Sequence, residues 1–218
     1  MESITRRRLR TRGSTRRRTT MFGGAVKLNV DAAAAILTPI YNGLSATKAA
    51  GQHNLTYGEV EWSTLKHMVD QTEKYSSPAI KGRFYDLGCG RGRAVLYMAL
   101  TGPFEQSVGI EVLPERVLLA QEALVKLKSS IPSAGLKVRL YEASFLNPAF
   151  KYKDARVVFL SNQAFDTLTQ DAIFLKLNAE MPKGSLVFCS QMPSTNISAF
   201  EVIQIDHLTT GFHVLRHL

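Results

Sequence analysis

The residues with the clearest capacity for chemistry lie in one run, Phe84-Tyr85-Asp86-Leu87-Gly88-Cys89-Gly90-Arg91-Gly92-Arg93-Ala94-Val95-Leu96. A short apolar strand ends in an acid, glycines alternate through a turn, and an apolar helix begins. Alternating glycines let the backbone bend sharply and let a ligand approach it with no side chain between. The helix start offers unpaired N–H groups at the same place. The spacing is D-x-G-x-G-x-G, not the dinucleotide pattern G-x-G-x-x-G, and no Gly-Lys-Ser/Thr follows to hold a triphosphate. An acid inside the turn would repel a pyrophosphate and favour a ligand carrying an amine or a sulfonium. A second acid, Glu111, closes the next apolar strand, Ser107-Val108-Gly109-Ile110. It falls roughly twenty residues beyond the turn, where a carboxylate can accept both hydroxyls of a ribose.

These residues need a frame. Ala25 to Leu37 is rich in alanine and reads as a helix ending near Thr38-Pro39. A polar loop, Tyr41 to Gly58, leads to a second helix from Glu59 to Tyr75, with Trp62, Leu65, Met68 and Val69 on one apolar face. Strand and helix then alternate. Strands are expected at Arg83–Leu87, Ser107–Glu111, Lys137–Tyr141, Arg156–Leu160 and Ser185–Ser190, with a closing pair at Glu201–Ile205 and Phe212–Arg216. Helices are expected at Ala94–Leu100, at Glu115–Lys128 opened by Pro114, and at Thr167–Glu180, whose apolar face is Leu168, Ile173, Phe174 and Leu177. This alternation implies a parallel sheet with helices on both faces and a ligand site beyond the carboxyl ends of the strands.

The net charge is +9, and the first 20 residues contribute most of it, with eight arginines against the single acid Glu2. The polycation is an appendage and not a property of the fold. It reads as a disordered arm for nucleic-acid phosphates, as a nuclear address, or as a mitochondrial transit peptide. Its arginines lack the apolar spacing of an amphipathic helix, which favours the first two. Cys89 and Cys189 have no metal-ligand or disulfide spacing, and the five histidines form no metal or triad pattern. No run is long enough to span a membrane. The chain divides into a basic arm at 1–20, a helical extension with a covering loop at 21–78, and a catalytic domain at 79–218.

Three more sites fall at the expected ligand edge. Ser144-Phe145 follows the third strand, where an aromatic ring could lie on an adenine. Ser161-Asn162-Gln163-Ala164-Phe165 follows the fourth, where amides could hold an amino-acid portion or a substrate amine. Tyr57-Gly58-Glu59 precedes the second helix, where Glu59 could bind an ammonium or serve as an acid at the helix start.

The acid–glycine turn followed by Glu111 resembles motif I and the next acidic motif of class I S-adenosylmethionine-dependent methyltransferases. That resemblance implies S-adenosyl-L-methionine as cofactor. It also implies an α/β, Rossmann-like, mostly parallel seven-stranded sheet with a short helical N-terminal extension. From Tyr41 to Pro193, the order of Tyr41-Asn42, Tyr57-Gly58-Glu59, the glycine turn, Glu111, Ser144-Phe145-Leu146 and Asn162-Gln163-Ala164-Phe165 resembles the disruptor-of-telomeric-silencing family. Its members are histone-lysine methyltransferases built on the class I fold. The resemblance implies that Asp86, Gly88, Gly90, Gly92 and Glu111 hold the cofactor, with Tyr57 and Glu59 near its methionine end. Ser144 and Phe145 would flank adenine, Asn162 would sit beside the transferred methyl, and Phe165 would line the lysine channel. Tyr57, Asn162 and Phe165 form the catalytic set so implied. The partner implied is a histone in nucleosomes, in the nucleus; a mitochondrial protein-lysine methyltransferase and a non-catalytic binding module are the alternatives. The chain departs from the family at Ser144, where an acid is usual, and at Ser161 and Gln163, where the family has Asn and an aromatic. Its last strand also lacks the family's channel aromatics. No proline follows the fourth strand, unlike the Asn/Asp-Pro-Pro-Tyr/Phe motif frequent in enzymes that methylate base amines.

Overall fold

The computed structural model describes residues 21–22, 25–47, 58–77, 81–131, 137–195, 197–203 and 211–218. The arginine arm and Tyr57 lie outside the described residues, as do the last two residues of the expected strand 201–205.

The core is a seven-stranded sheet formed by β3 (Arg83–Leu87), β4 (Ser107–Glu111), β5 (Val138–Glu142), β6 (Ala155–Leu160), β7 (Leu186–Cys189), β8 (Phe200–Ile203) and β9 (His213–His217). The spatial order is β5-β4-β3-β6-β7-β9-β8. All neighbours are parallel except β9, which runs antiparallel to both β7 and β8. A separate two-stranded ribbon, β1 (Met21–Phe22) with β2 (Ala25–Val26), occupies part of the stretch expected to be helical. The chain builds outward from β3 through β4 to β5 and then returns to lay β6 against the other side of β3. That reversal opens a crevice beyond the tips of β3 and β6, where open α/β sheets bind ligands.

Alternating side chains serve two cores. Phe84, Val157, Phe159, Leu186 and Phe188 pack on the face covered by α1 (Val30–Asn42), α2 (Trp62–Tyr75), α3 (Arg93–Thr101) and part of α4 (Pro114–Ser130). Tyr85, Leu87, Val158, Leu160 and Val187 pack on the face covered by α5 (Thr167–Glu180). The period of two, with apolar residues in both phases, explains why these strands read as continuous apolar runs.

Three helix expectations are corrected. The first helix begins at Val30, where the Asn29 side chain accepts from the Ala32 N–H (2.7 Å), and it runs through Pro39 to Asn42. Pro39 is exposed, while Leu37, Ile40 and Tyr41 are buried, so core packing holds the turn helical and the carbonyl lacking its N–H donor, that of exposed Ala35, lies where water can reach it. The second helix begins at Trp62 because Glu61 is extended and Glu59 is drawn elsewhere. On α5, Ile173, Phe174 and Leu177 are buried, but Leu168 is 83% exposed and Gln170 takes its place on the buried stripe. Residue 170 is helically in phase with 173, 174 and 177, whereas 168 is not.

The extension is fixed to the catalytic layer. The Leu28 N–H donates to the Leu100 carbonyl (2.8 Å), and the Tyr41 hydroxyl donates to the Arg91 carbonyl (3.2 Å). Trp62 stacks on Tyr97 of α3 at 5.7 Å between centroids and meets Tyr41 edge-on at 6.0 Å.

Gly109 in β4 sets how close α3 can come. A Cβ there would lie 2.7 Å from Cys89 Sγ, 2.8 Å from Val95 Cγ2 and 3.0 Å from Leu140 Cδ2. We expect Gly109→Ala to push α3 and the glycine turn off the sheet at a cost of about 1–3 kcal/mol, a fall in Tm of roughly 3–10 °C. A thermal melt unchanged from wild type would contradict that packing account.

Candidate functional site

The turn after β3 is built from three left-handed glycines, Gly88 (φ 86°), Gly90 (φ 52°) and Gly92 (φ 76°). Any other residue would be strained at each position, which explains the alternation in the sequence. Most of the turn's N–H groups are already used. Gly88 N–H and Cys89 N–H both donate to the Ile110 carbonyl (2.8 and 3.1 Å), and Gly92 N–H donates to the Cys89 carbonyl (2.8 Å). Gly90 N–H donates to Glu111 Oε2 at 2.9 Å. A phosphate cradle needs such donors free and aimed at the ligand. Here they are spent inside the protein, and carboxylates face the space instead.

Glu111 Oε1 accepts from the N–H groups of Val112 (2.9 Å) and Leu113 (3.0 Å), so this acid shapes the β4–α4 loop as well as the glycine turn. Each carboxylate oxygen has two lone-pair positions, and among the described residues Oε2 accepts only from Gly90, which leaves capacity for a ligand hydroxyl. Asp86 is 3% exposed. Burial, followed by the nearby charge of Glu111, raises its carboxyl well above the usual range. The same causes, with burial first and then Asp86 and Glu111, push the Cys89 thiol up and keep it protonated and inert.

A cluster of ions seals the side of the site formed by the extension. Glu59 Oε1 accepts from Arg91 Nε (2.8 Å) and Oε2 accepts from Arg93 Nη1 (2.9 Å). Arg91 also donates to the Ser45 carbonyl (3.0 Å). The Arg93 guanidinium lies 3.9 Å from the centre of the Trp62 ring.

These elements enclose a crevice of about 660 Å³ including its open mouth, with Glu59, Asp86, Gly88, Gly90, Glu111 and Phe165 among its walls. A second crevice of about 610 Å³ adjoins it, and both share Gly58, Glu59, Val60 and Ser161. The second is lined further by Glu61, Thr64, Gln163 and Phe212.

The structure brings together only part of the expected site. Glu59, Asp86, Gly88, Gly90, Glu111 and Phe165 line the first crevice, and Gly92 caps α3 beneath it. Phe165 lies over Gly88, where an added Cβ would sit 3.4 Å from its Cζ, and not along the second crevice. Asn162 is fully buried and is not among the residues that line either crevice. Its Nδ2 donates to Gln170 Oε1 (3.1 Å) and to the Gln191 carbonyl (3.0 Å), and its Oδ1 accepts from the Gln191 N–H (2.9 Å). An amide with both ends committed joins the loops after β6 and β7, and the exposed Ser161 takes the place at the crevice. Ser144 is exposed and turns back to accept from the Leu146 N–H (3.2 Å). Phe145 does not line the first crevice itself but stacks on Phe165, which does, at 5.4 Å between centroids.

Arg93, Arg116 and Val60 line the first crevice without having been singled out. One signal for Arg93 was present in the sequence. A cation at the first residue of a helix opposes the helix dipole, so it requires a compensating acid or a ligand.

The fold and the acid-lined crevice define an α/β methyltransferase of the Rossmann-like class. The sequence profile described as "Histone methylation protein DOT1" matches residues 36–217, and the chain belongs to that family. Solved structures of similar fold include a putative methyltransferase from Escherichia coli (11% identity, 74% of this chain and 88% of that one, TM-score 0.55). A putative rRNA-methylase from Clostridium thermocellum is also similar (15% identity, 73% and 97% covered, TM-score 0.51). So is a putative methylase from Haemophilus influenzae (16% identity, 71% and 88% covered, TM-score 0.51). No curated protein sequence matches the chain significantly.

The raised carboxyl of Asp86 has a consequence for stability. Its neutral form is favoured by the fold, so its contribution is fully present below the unfolded value of about 3.8 and is lost as pH rises through the raised folded value. We expect Asp86→Asn to be more stable than wild type at neutral pH, with a difference that shrinks as pH falls toward 4. Paired denaturation curves across that range test it. A variant less stable than wild type throughout would contradict the assignment.

Proposed function

We propose that the chain transfers methyl groups from S-adenosyl-L-methionine to a lysine amine of a histone within the nucleosome, in the nucleus. The observation that carries the reading is the pairing of two buried carboxylates with a turn most of whose N–H groups are already satisfied. Such walls suit a cationic nucleoside and disfavour a polyphosphate. The residues fit the cofactor: Glu111 retains lone pairs for ribose hydroxyls, Asp86 lies where a positive charge would offset its burial, and Phe165 offers an apolar surface over the turn. The bound cofactor supplies a methyl group on a positively charged sulfur, open to in-line displacement by a neutral amine.

The acceptor's path follows from the neighbouring crevice. Glu59, Val60 and Ser161 border both spaces, so a side chain entering past Glu61 and Phe212 would meet the cofactor there. Glu61 would attract a lysine at the mouth. Val60 and Phe212 would favour the neutral amine deeper in, since a free lysine has a pKa near 10.4 and is mostly charged at neutral pH. Holding amine, methyl and sulfur in line would supply much of the acceleration. Asn162 supports this site from behind, as a positioning residue. The arginine arm would hold nucleosomal DNA through phosphates.

Tritiated-methyl labelling of nucleosomes, free histones, naked DNA and RNA tests the proposal. We expect label on histone protein in nucleosomes and a loss of at least about tenfold in Asp86→Asn. Replacing Arg16, Arg17 and Arg18 with Gln should flatten the log–log salt dependence of nucleosome binding by roughly 2–3. Label on nucleic acid, or full labelling by Asp86→Asn, would overturn the reading.

A further inference from the structure

We infer that Gln170 is a positioning residue that couples the two crevices: through its side-chain amide, a ligand held in the first stiffens the rim of the second. The inference deepens the proposed function, because it rests on reading the first crevice as the cofactor site and the second as the acceptor's path.

Three bonds fan out from this one amide. Gln170 is 9% exposed and sits on the buried stripe of α5, one turn into a fourteen-residue helix. Asp166 caps that helix by accepting from the Thr169 N–H (2.7 Å). Gln170 Nε2 donates to the Phe165 carbonyl (3.1 Å) and to Gln191 Oε1 (2.7 Å), and its Oε1 accepts from Asn162 Nδ2 (3.1 Å). A primary amide has two N–H donors, so both are spent. The Phe165 carbonyl can only accept, which fixes which end of the amide faces it.

The partners belong to different crevices. Phe165 lines the first and lies over Gly88, while the walls of the second include Ser161, Gln163 and Ser190. Gln191 joins Gln170 to that second rim: its Nε2 donates to the Gln163 carbonyl (3.3 Å), and its backbone follows directly on Ser190. One residue further along α5, Asp171 accepts from the exposed Ser194 hydroxyl (2.9 Å), so the same turn of helix also holds the far part of the loop after β7. A ligand packed on Phe165 restrains the backbone whose carbonyl Gln170 holds. Gln170 passes that restraint to Gln191, beside the rim that a substrate side chain meets. A buried amide with both donors spent has few alternative arrangements, which suits it to carry such a restraint.

Hydrogen exchange read by mass spectrometry tests the coupling, with S-adenosylhomocysteine as the ligand. No residue of 190–195 lines the first crevice, so a change in that segment reports linkage and not direct contact. In wild type we expect saturating ligand to slow exchange across 190–195 by about fivefold or more. Gln170→Glu keeps the shape but turns an oxygen toward the Phe165 carbonyl, while Asn162 can still donate to it and Gln191 can rotate to do so. It cuts the arm to the first crevice alone, so it should bind the ligand within about threefold of wild type by calorimetry yet show less than about twofold slowing. Gln170→Met removes all three bonds without burying a charge, on a stripe whose other members are apolar, and should lose the slowing likewise. It keeps the test open if Gln170→Glu does not fold, and circular dichroism melts establish folding. A merely structural role would change exchange with and without ligand alike. Slowing retained in either folded variant therefore overturns the inference, as does ligand that binds wild type without slowing 190–195. Absence of binding to wild type is a separate outcome, which overturns the reading of the first crevice and the inference with it.

Discussion

Two acids withheld from water at the ends of adjacent parallel strands govern the architecture around the site. Asp86 is the penultimate residue of β3, and Glu111 ends β4. Glu111 is held by three backbone N–H groups, from Gly90, Val112 and Leu113, and so draws the glycine turn and the β4–α4 loop toward one point. Asp86 has its charged form penalised by burial and by that neighbour. A fold that keeps such a pair has an interior electrostatic demand that a cationic ligand meets. The left-handed glycines follow from the same geometry, because only a chain bent at each alternate residue brings Gly90 back onto Glu111.

The N-terminal extension completes the enclosure through charge and aromatic packing. Trp62 contacts Tyr97, Tyr41 and the Arg93 guanidinium at once, and Glu59 spans Arg91 and Arg93. The wall of the crevice and the anchorage of the extension are therefore the same side chains. Any ligand that exchanges partners with Glu59 or Arg93 also acts on how the extension is held. Asn162, Gln170 and Gln191 play the matching part at the other rim, where amides fully paired with one another fix the loops after β6 and β7.

The sheet and the acid–glycine core of the site were legible because each depends on local chemistry. Val157-Val158-Phe159-Leu160 had to be a strand buried on both faces, and D-x-G-x-G-x-G had to be a turn that no branched backbone could make. What was not legible depends on partners distant in the chain. Glu59 read as a helix-starting acid, yet two arginines more than thirty residues away hold it outside α2. Pro39 read as a stop, yet burial of Ile40 and Tyr41 carries the helix past it. Asn162 read as a group beside the reacting methyl, yet amides on α5 and after β7 turn it inward. Leu168 read as core by composition, though helical phase alone would have put Gln170 there. In each case propensity gave the element and tertiary pairing chose its limits or its direction.

The most direct measurement is a crystal structure of the chain grown with saturating S-adenosylhomocysteine. The account predicts one molecule in the first crevice, with its ribose hydroxyls on Glu111 and its sulfur beside the turn that begins at Gly88. A well-ordered crevice that stays empty under those conditions, or a nucleoside bound elsewhere on the sheet, would contradict it.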